Sequence, residues 1–326
     1  LSNTDLEKMV DTSDDWINIP NHYYSTGVRV IYDISGGSAV GGLTDNQDYY
    51  VIVIDNNYFK LAASLADANT GTAVNITGAG SGIGMETVRL FAESGSNIIL
   101  AGRRIAPLEK LRSEIKKYDV TSEAYSVDIE NGDQAAKFGS YVLEKYGKVD
   151  ILVNNAGHSS KVRSIRYVDS DEWRSVFDVN VEGLYRLTQS LLESMIDNGE
   201  GTIITVSSVA AKKPGLMGGA PYSSAKAASA NLMGHINAEL NNLGIRACTI
   251  YPAEVDTPIL DNRPLPPNEV ARAKMMLPID IAKAILLCAS MPQRTLVQDI
   301  IMKPTFDRDM TEAFAVARNL GKPKNL

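Results

Sequence analysis

A doubly wound α/β architecture, a parallel sheet of about seven strands with helices on both faces, is what this sequence predicts. Three observations carry that expectation. From residue 72 onward, short apolar runs alternate with segments of helical period. The first such run leads directly into a glycine-rich turn, TGAGSGIG, at 77–84. The repeated order strand, helix, strand requires parallel strands joined by right-handed crossovers. Ligands of such sheets bind outside the carboxyl ends of the strands, where the strand order reverses.

The elements follow in chain order. Residues 1–20 read as a short acidic helix around 6–10 and then the run DTSDDWI. Over 28–75 the character changes. VRVIYD and YYVIVID are β-rich, and the Gly-rich SGGSAVGGLTDNQD between them is a loop. Asn56 and Asn57 suit a turn that folds YYVIVID back onto YFKLA as a hairpin. So small a β-rich segment buries little apolar surface of its own. Residues 1–70 are therefore expected to be an accessory or foreign addition to a main domain over 71–326. The main domain's strands are expected at 73–77, 98–101, 124–127, 149–153, 202–207, 245–251 and 297–302. A helix over 84–94 presents Met85, Val88, Phe91 and Ala92 on one side, with Gly95 as its stop. Another over 107–118 starts on Pro107 and carries Leu108, Leu111, Ile115 and Tyr118 at helical spacing. Ser170 or Asp171 is the expected cap of the long helix that follows, and Gly244 ends the helix after Tyr222.

The composition is that of an ordinary globular chain: 44% hydrophobic and 22% charged over 326 residues. The net charge is −7 and no long basic run occurs, which argues against nucleic acid or an anionic membrane as partner. No apolar stretch is long enough to span a bilayer, and LSNTDLEKMV does not read as a secretory signal. A cytoplasmic location is the expectation. The first residue is not Met, so a processed or partial form is expected. Cys248 and Cys288 stand in apolar contexts without metal-ligand spacing, which favours buried thiols over a disulfide. No metal site is expected.

Gly78, Gly82 and Gly84 form a G-x-x-x-G-x-G turn between a strand and a helix. Glycine there lets backbone N–H groups approach a pyrophosphate, and the helix N-terminus adds a favourable field. This is the entry to a Rossmann-type site. The second strand ends in Gly102, Arg103 and Arg104, with no carboxylate for a ribose 2′-hydroxyl. The arginines either pair with a 2′-phosphate, which points to NADP(H), or are solvated surface residues. Asp128 is either a hydrogen-bond acceptor for an adenine amine or a helix-capping acid.

YSSAK places Tyr222 and Lys226 on one helical face. A phenol ionises near pH ~10 and is a poor base at neutral pH, but a nearby ammonium favours the phenolate. Ser207 and Ser208 end a buried-looking strand at the ligand edge, and Ser208 can hydrogen-bond a substrate oxygen. NNAG at 154–157 suits a wall beside a cofactor. Asn180 is an amide inside an apolar helical stretch and needs a buried partner; it either bends the helix or holds a water behind Lys226.

In this order the motifs resemble the short-chain dehydrogenase/reductase family, from about residue 76 to about 305. The resemblance implies that Tyr222 donates or accepts the proton. Lys226 binds the nicotinamide ribose and lowers the Tyr222 pKa, Ser208 orients the carbonyl or hydroxyl, and Asn180 anchors a relay water. Cofactor contacts are implied for Gly78, Ser81, Gly82, Ile83, Gly84, Arg103, Arg104, Asp128, Ile129, Asn155, Ala156, Gly157, Tyr222, Lys226, Pro252, Val255 and Thr257. YPAEVDTPIL looks like the family's Pro-Gly segment, with Ala253 in place of the usual Gly. Residues 258–276 correspond to the variable substrate loop, stiffened by Pro264, Pro266 and Pro267. Pairing of long helices near 171–197 and 222–243 into homodimers or homotetramers is also implied.

The N-terminal residues resemble other things. LSNTDLEKMVDTSDDWI looks like the opening of a type III ketoacyl-ACP synthase, without that family's Cys-His-Asn chemistry. Residues 28–75 resemble a Gly-rich β repeat of bacterial surface proteins. A mosaic with a join near residues 76–77 is the expectation, and Asn75 is an oddly polar member of a strand buried on both faces. The expected function is an NADP(H)-dependent oxidoreductase acting on a small-molecule carbonyl or secondary alcohol. A catalytically silent NADP-binding regulator or scaffold is the alternative.

Overall fold

The computed structural model describes residues 10–11, 16–21, 23–24, 28–32, 47–53, 58–62 and 72–323. Two sheets are present among them. The first comprises β1 (Val10–Asp11), β2 (Trp16–Asn18), β3 (Arg29–Tyr32), β4 (Gln47–Val53) and β5 (Tyr58–Ala62), in the order β1-β2-β5-β4-β3. All its pairings are antiparallel. The expected hairpin is seen in β4 and β5, which pair Val53 with Phe59; its turn at Asn56 and Asn57 lies outside the described residues. The expected helix at 6–10 also lies outside them except for Val10, which stands in β1.

The second sheet is the predicted one. Its strands are β6 (Ala73–Thr77), β7 (Asn97–Gly102), β8 (Ser122–Ser126), β9 (Ile151–Asn154), β10 (Gly201–Val206), β11 (Ile245–Pro252) and β12 (Asp299–Met302). Every pairing is parallel, in the order β12-β11-β10-β9-β6-β7-β8. The chain builds from β6 outward through β7 to β8, then returns to add β9 on the other side. The order thus reverses between β6 and β9, and a crevice opens at their carboxyl ends.

The helices are α1 (Gly82–Glu93), α2 (Ile105–Ile115), α3 (Gly132–Tyr146), α4 (Ser170–Phe177), α5 (Gly183–Asp197), α6 (Val209–Lys212), α7 (Ala220–Leu240), α8 (Glu269–Arg272), α9 (Pro278–Ser290) and α10 (Thr311–Asn319). Strand alternation sorts the core into two layers. Ile98 and Leu100 of β7 pack with Phe91, Leu108, Leu111 and Ile285, the layer of α1, α2 and α9. Ile99 and Ala101 pack with Phe138, Leu187, Leu191 and Met233, the layer of α3, α5 and α7.

Several local expectations shift by a few residues. Helix α2 begins at Ile105, capped by Arg104, so Pro107 stands in its first turn rather than at its start. A proline is tolerated there because first-turn N–H groups have no intrahelical acceptor. The cap of α4 is Asp169, whose carboxylate accepts from Glu172 N, and not Ser170 or Asp171. Gly95 and Gly244 do follow their helices with left-handed backbones, φ 80° and 83°. Cys248 and Cys288 are buried free thiols whose Sγ atoms lie 3.1 Å apart.

Strand β6 pairs with both neighbours in register, Asn75 lying between Ile99 and Leu152. Asn75 is 0% exposed, and neither polar atom of its side chain has a hydrogen-bond partner. An unsatisfied buried amide costs roughly 1–3 kcal/mol. Asn75→Val should therefore raise the unfolding free energy by about 1–3 kcal/mol, seen as a higher denaturation midpoint at unchanged denaturant slope. A lowered midpoint in urea unfolding would show that the amide is satisfied.

Candidate active site

The crevice is assembled by the loops after β6 and β9. Thr77, the last residue of β6, donates its hydroxyl to Val153 O at 3.3 Å and accepts from Asn155 N at 3.0 Å and Ala156 N at 3.1 Å. Asn155 answers with Nδ2 donating to Thr77 O at 3.1 Å and Gly78 O at 3.4 Å. The two loops therefore hold each other. Gly78 and Gly82 have φ of 63° and 52°, a region that side chains disfavour. Gly84 serves close approach instead: a Cβ there would lie 2.5 Å from Asn155 Nδ2 and collide with the Gly78 carbonyl oxygen.

This geometry suits a dinucleotide. Ser81 caps α1 with an extended backbone but makes no side-chain cap bond, so the first-turn N–H groups keep their donors for an anion. Arg103 and Arg104 are exposed on the rim of the same pocket, of about 440 Å³, that Gly78, Ser81, Gly82 and Ile83 line. Asp128 and Ile129 line it as well. The Asp128 Oδ1 accepts from Glu130 N at 3.1 Å, and the cap of α3 is Asn131, so the helix-capping reading of Asp128 is replaced by a turn-closing one. Gly84 lies behind the turn rather than in the lining.

Helix α7 brings Tyr222 and Lys226 to the far end of this pocket. Of the two strand-end hydroxyls, Ser207 is buried and donates to Lys226 O at 2.9 Å, an internal tie. Ser208 lines the pocket, caps α6 and donates to Pro252 O at 3.5 Å. Lys226 is 4% exposed, and its Nζ donates to Val206 O at 2.9 Å. Burial lowers its pKa to about 8.

Burial pushes the Tyr222 phenol above its ordinary value. The Ser208 hydroxyl and the guanidinium groups of Arg163 and Arg263 pull it back down. The sequence pointed to Lys226 for that electrostatic role. Its Nζ donates to a β10 carbonyl and lies 5.7 Å from the centre of the Tyr222 ring, and the two arginines add further positive charge to the site.

Asn180 stands in a π-helical turn, Asp178–Glu182, between α4 and α5. Its Nδ2 donates to His158 O at 2.7 Å and Val176 O at 2.8 Å, while its buried Oδ1 has no partner. A Cβ on Gly157 would come within 3.3 Å of both Asn180 Oδ1 and Lys226 Nζ, so these two groups converge on one spot that only glycine leaves open. Asn155, Ala156 and Gly157 form the wall beside it.

Pro252, Val255 and Thr257 close the opposite wall. The Ala253 backbone is held by its N–H to Met302 O at 2.8 Å, and the Thr257 methyl would meet a Cβ on Gly82 at 3.2 Å. The loop beyond contains the 3-10 turn Pro258–Asn262 and α8. The pocket also holds residues that sequence reasoning passed over: His158, Ser159, Arg163, Glu254 and Arg263. They sit in aperiodic polar stretches, where no spacing marks them out.

Comparison with known proteins agrees with this geometry. The protein-family model described as short chain dehydrogenase matches residues 72–266. The 3-oxoacyl-[acyl-carrier-protein] reductase of Thermotoga maritima is 31% identical over 68% of this chain and 91% of its own. An alcohol dehydrogenase of Thermococcus sibiricus, solved with 5-hydroxy-NADP, superposes with a TM-score of 0.65 at 26% identity, covering 73% of this chain and 98% of that one. The 3-ketoacyl-(acyl-carrier-protein) reductase of Brucella melitensis, solved with NADH, has a TM-score of 0.65 at 28% identity, covering 72% and 98%.

The buried ammonium has a consequence for stability. With a folded pKa of about 8 against 10.5 unperturbed, charging Lys226 opposes folding. The penalty, about 3 kcal/mol, is fully present below pH 8 and fades as pH rises through the unfolded value. Lys226→Met should therefore be more stable than the parent at pH 7 and lose that advantage above about pH 10. Urea unfolding at both pH values checks this, and an equal difference at both would refute it.

Proposed function

This chain belongs to the short chain dehydrogenase family and is a nicotinamide-dependent oxidoreductase; on that premise we propose that it uses NADP(H) to interconvert a carbonyl and a secondary alcohol, with Tyr222 as the acid/base. The observation that carries this reading is the single pocket lined from the glycine turn at one end to Ser208, Tyr222 and Lys226 at the other. The NADP preference rests on the end of β7, where Gly102 stands in place of an acid and Arg103 and Arg104 offer two exposed guanidinium groups to a 2′-phosphate.

The cofactor supplies or accepts a hydride at the substrate carbon; the chain does the rest. Ser208 donates a hydrogen bond to the substrate oxygen and fixes its direction. Tyr222 gives its phenolic proton to that oxygen in reduction and takes it back in oxidation. Arg163 and Arg263 limit the cost of the phenolate formed meanwhile. Lys226 holds the nicotinamide ribose. Asn180 Oδ1 and Lys226 Nζ, which converge beside Gly157, would hold a water that passes a proton from solvent to Tyr222 after reduction. Burial of the site raises the value of each of these contacts.

Two outcomes test the assignment. Tyr222→Phe should lower kcat by at least about 10²-fold while NADPH affinity, read by nicotinamide fluorescence, stays close to the parent's. Substantial residual turnover would remove Tyr222 from the mechanism. A protein that binds NADPH but turns over nothing in a broad carbonyl screen would instead support the scaffold alternative. Arg103→Ala should weaken NADPH by about tenfold or more and leave NADH nearly unaffected. An equal loss for both cofactors would make Arg103 a bystander.

A further inference from the structure

Arg163 is a buried cation in the wall of the catalytic pocket, in ion-pair contact with no carboxylate among the described residues, and Glu172 favours its charge only from a distance. The side chain is 3% exposed and lines the same pocket as Tyr222 and Ser208. Its hydrogen bonds run through one nitrogen: Nη1 donates to Ser159 Oγ at 2.5 Å and to Gly218 O at 2.9 Å. Nε is buried and has no partner. Among the described residues no Asp or Glu lies within ion-pair distance of it, and although burial lowers its pKa to about 10, it stays charged at neutral pH. A buried charge left half-satisfied is costly unless something pairs with it.

A structural arginine looks different in this same fold. Arg246 is also buried, but its guanidinium is spent on Thr202 Oγ1 and on the carbonyls of Ala289, Met291, Pro292 and Thr295, closing the end of α9. Arg263, the other guanidinium facing Tyr222, pairs with Glu254 at 2.5 Å, and Arg308 grips the same carboxylate through Nε and Nη2. Of these arginines, Arg163 alone has neither a carboxylate pair nor a guanidinium filled by carbonyls. The start of α7 is shaped around it. Ala220 N donates to Arg163 O at 3.2 Å, and Gly219, with φ 78°, brings its backbone so close that a Cβ would lie 2.9 Å from Arg163 Cδ.

Resting on the reading of Tyr222 as proton donor, we propose that the substrate is an oxo acid, or the corresponding hydroxy acid, whose carboxylate pairs with Arg163 while its carbonyl oxygen meets Tyr222 and Ser208. Nη2 makes no hydrogen bond and, unlike Nε, is not sealed from the pocket, so it can donate to a carboxylate.

The test follows NADPH oxidation by the full chain on 2-, 3- and 4-oxo acids, their methyl esters and hydroxyacetone phosphate. The acids should exceed their esters in kcat/KM by at least about tenfold. In Arg163→Gln that acid-to-ester ratio should collapse towards one, chiefly through KM for the acids, and in Arg163→Lys it should recover in part. A purely structural Arg163 would lower acids and esters alike and leave the ratio unchanged. Should Arg163→Gln fail to fold in a thermal melt, the parent ratio and Arg163→Lys decide. Esters equal to acids, or an unchanged ratio in the variants, would overturn the anionic substrate while sparing the oxidoreductase reading. Preference for the phosphate would overturn the carboxylate. No turnover of any carbonyl, charged or neutral, would overturn the oxidoreductase reading itself.

Discussion

The site depends first on the exchange of hydrogen bonds between Thr77 and Asn155. Strands β6 and β9 are neighbours in the sheet but far apart in the chain, and the strand order reverses between them. Their loops must diverge to opposite layers, which would leave backbone groups at the switch point without partners. The Thr77 hydroxyl and the Asn155 amide satisfy those groups reciprocally. They also set the spacing that leaves no room for a side chain at Gly84. The position of α1, and hence of its N–H donors, follows from that contact.

A second constraint is that the far end of the pocket is assembled from groups that do not favour folding. Lys226 is buried with one carbonyl as hydrogen-bond partner, Asn180 keeps an unpartnered Oδ1, and Arg163 keeps an unpartnered Nε. Each sits at the junction of separate elements: α7 against β10, the π turn against the 157–158 loop, and the 159–163 segment against the start of α7. The well-packed layers behind them hold these groups in place. Polar groups left with unused bonding capacity in a shared, low-dielectric pocket are poised for a ligand rather than for stability.

Asn75 shows the same kind of cost without the same use. It lies in the middle of β6, away from the pocket lining, and its amide has no hydrogen-bond partner. Strand β6 forms and pairs in full despite it, because its remaining backbone and apolar contacts are those of an ordinary central strand. The family match begins at residue 72 and so includes this strand.

The sequence by itself marked the parallel sheet, the glycine turn, and Ser208, Tyr222 and Lys226, which the structure brings into one pocket. These are local: periodicity marks a strand or helix, glycine marks a forbidden side chain, and a spacing of four puts two residues on one helical face. Element ends were legible only to within a few residues: Arg104 caps its helix by backbone geometry alone, and three neighbouring polar residues, Asp169, Ser170 and Asp171, could each have capped the next. Only the tertiary structure showed what the adjacent Ser207 does: it is buried and tied to Lys226 O, while Ser208 lines the pocket. It alone showed that Arg163 and Arg263 add positive charge near Tyr222. Arg163 and Arg263 are a hundred residues apart in the chain and lie in irregular segments. Their meeting is a product of chain crossing at the sheet edge, and electrostatics depends on distance in space, which no one-dimensional pattern encodes.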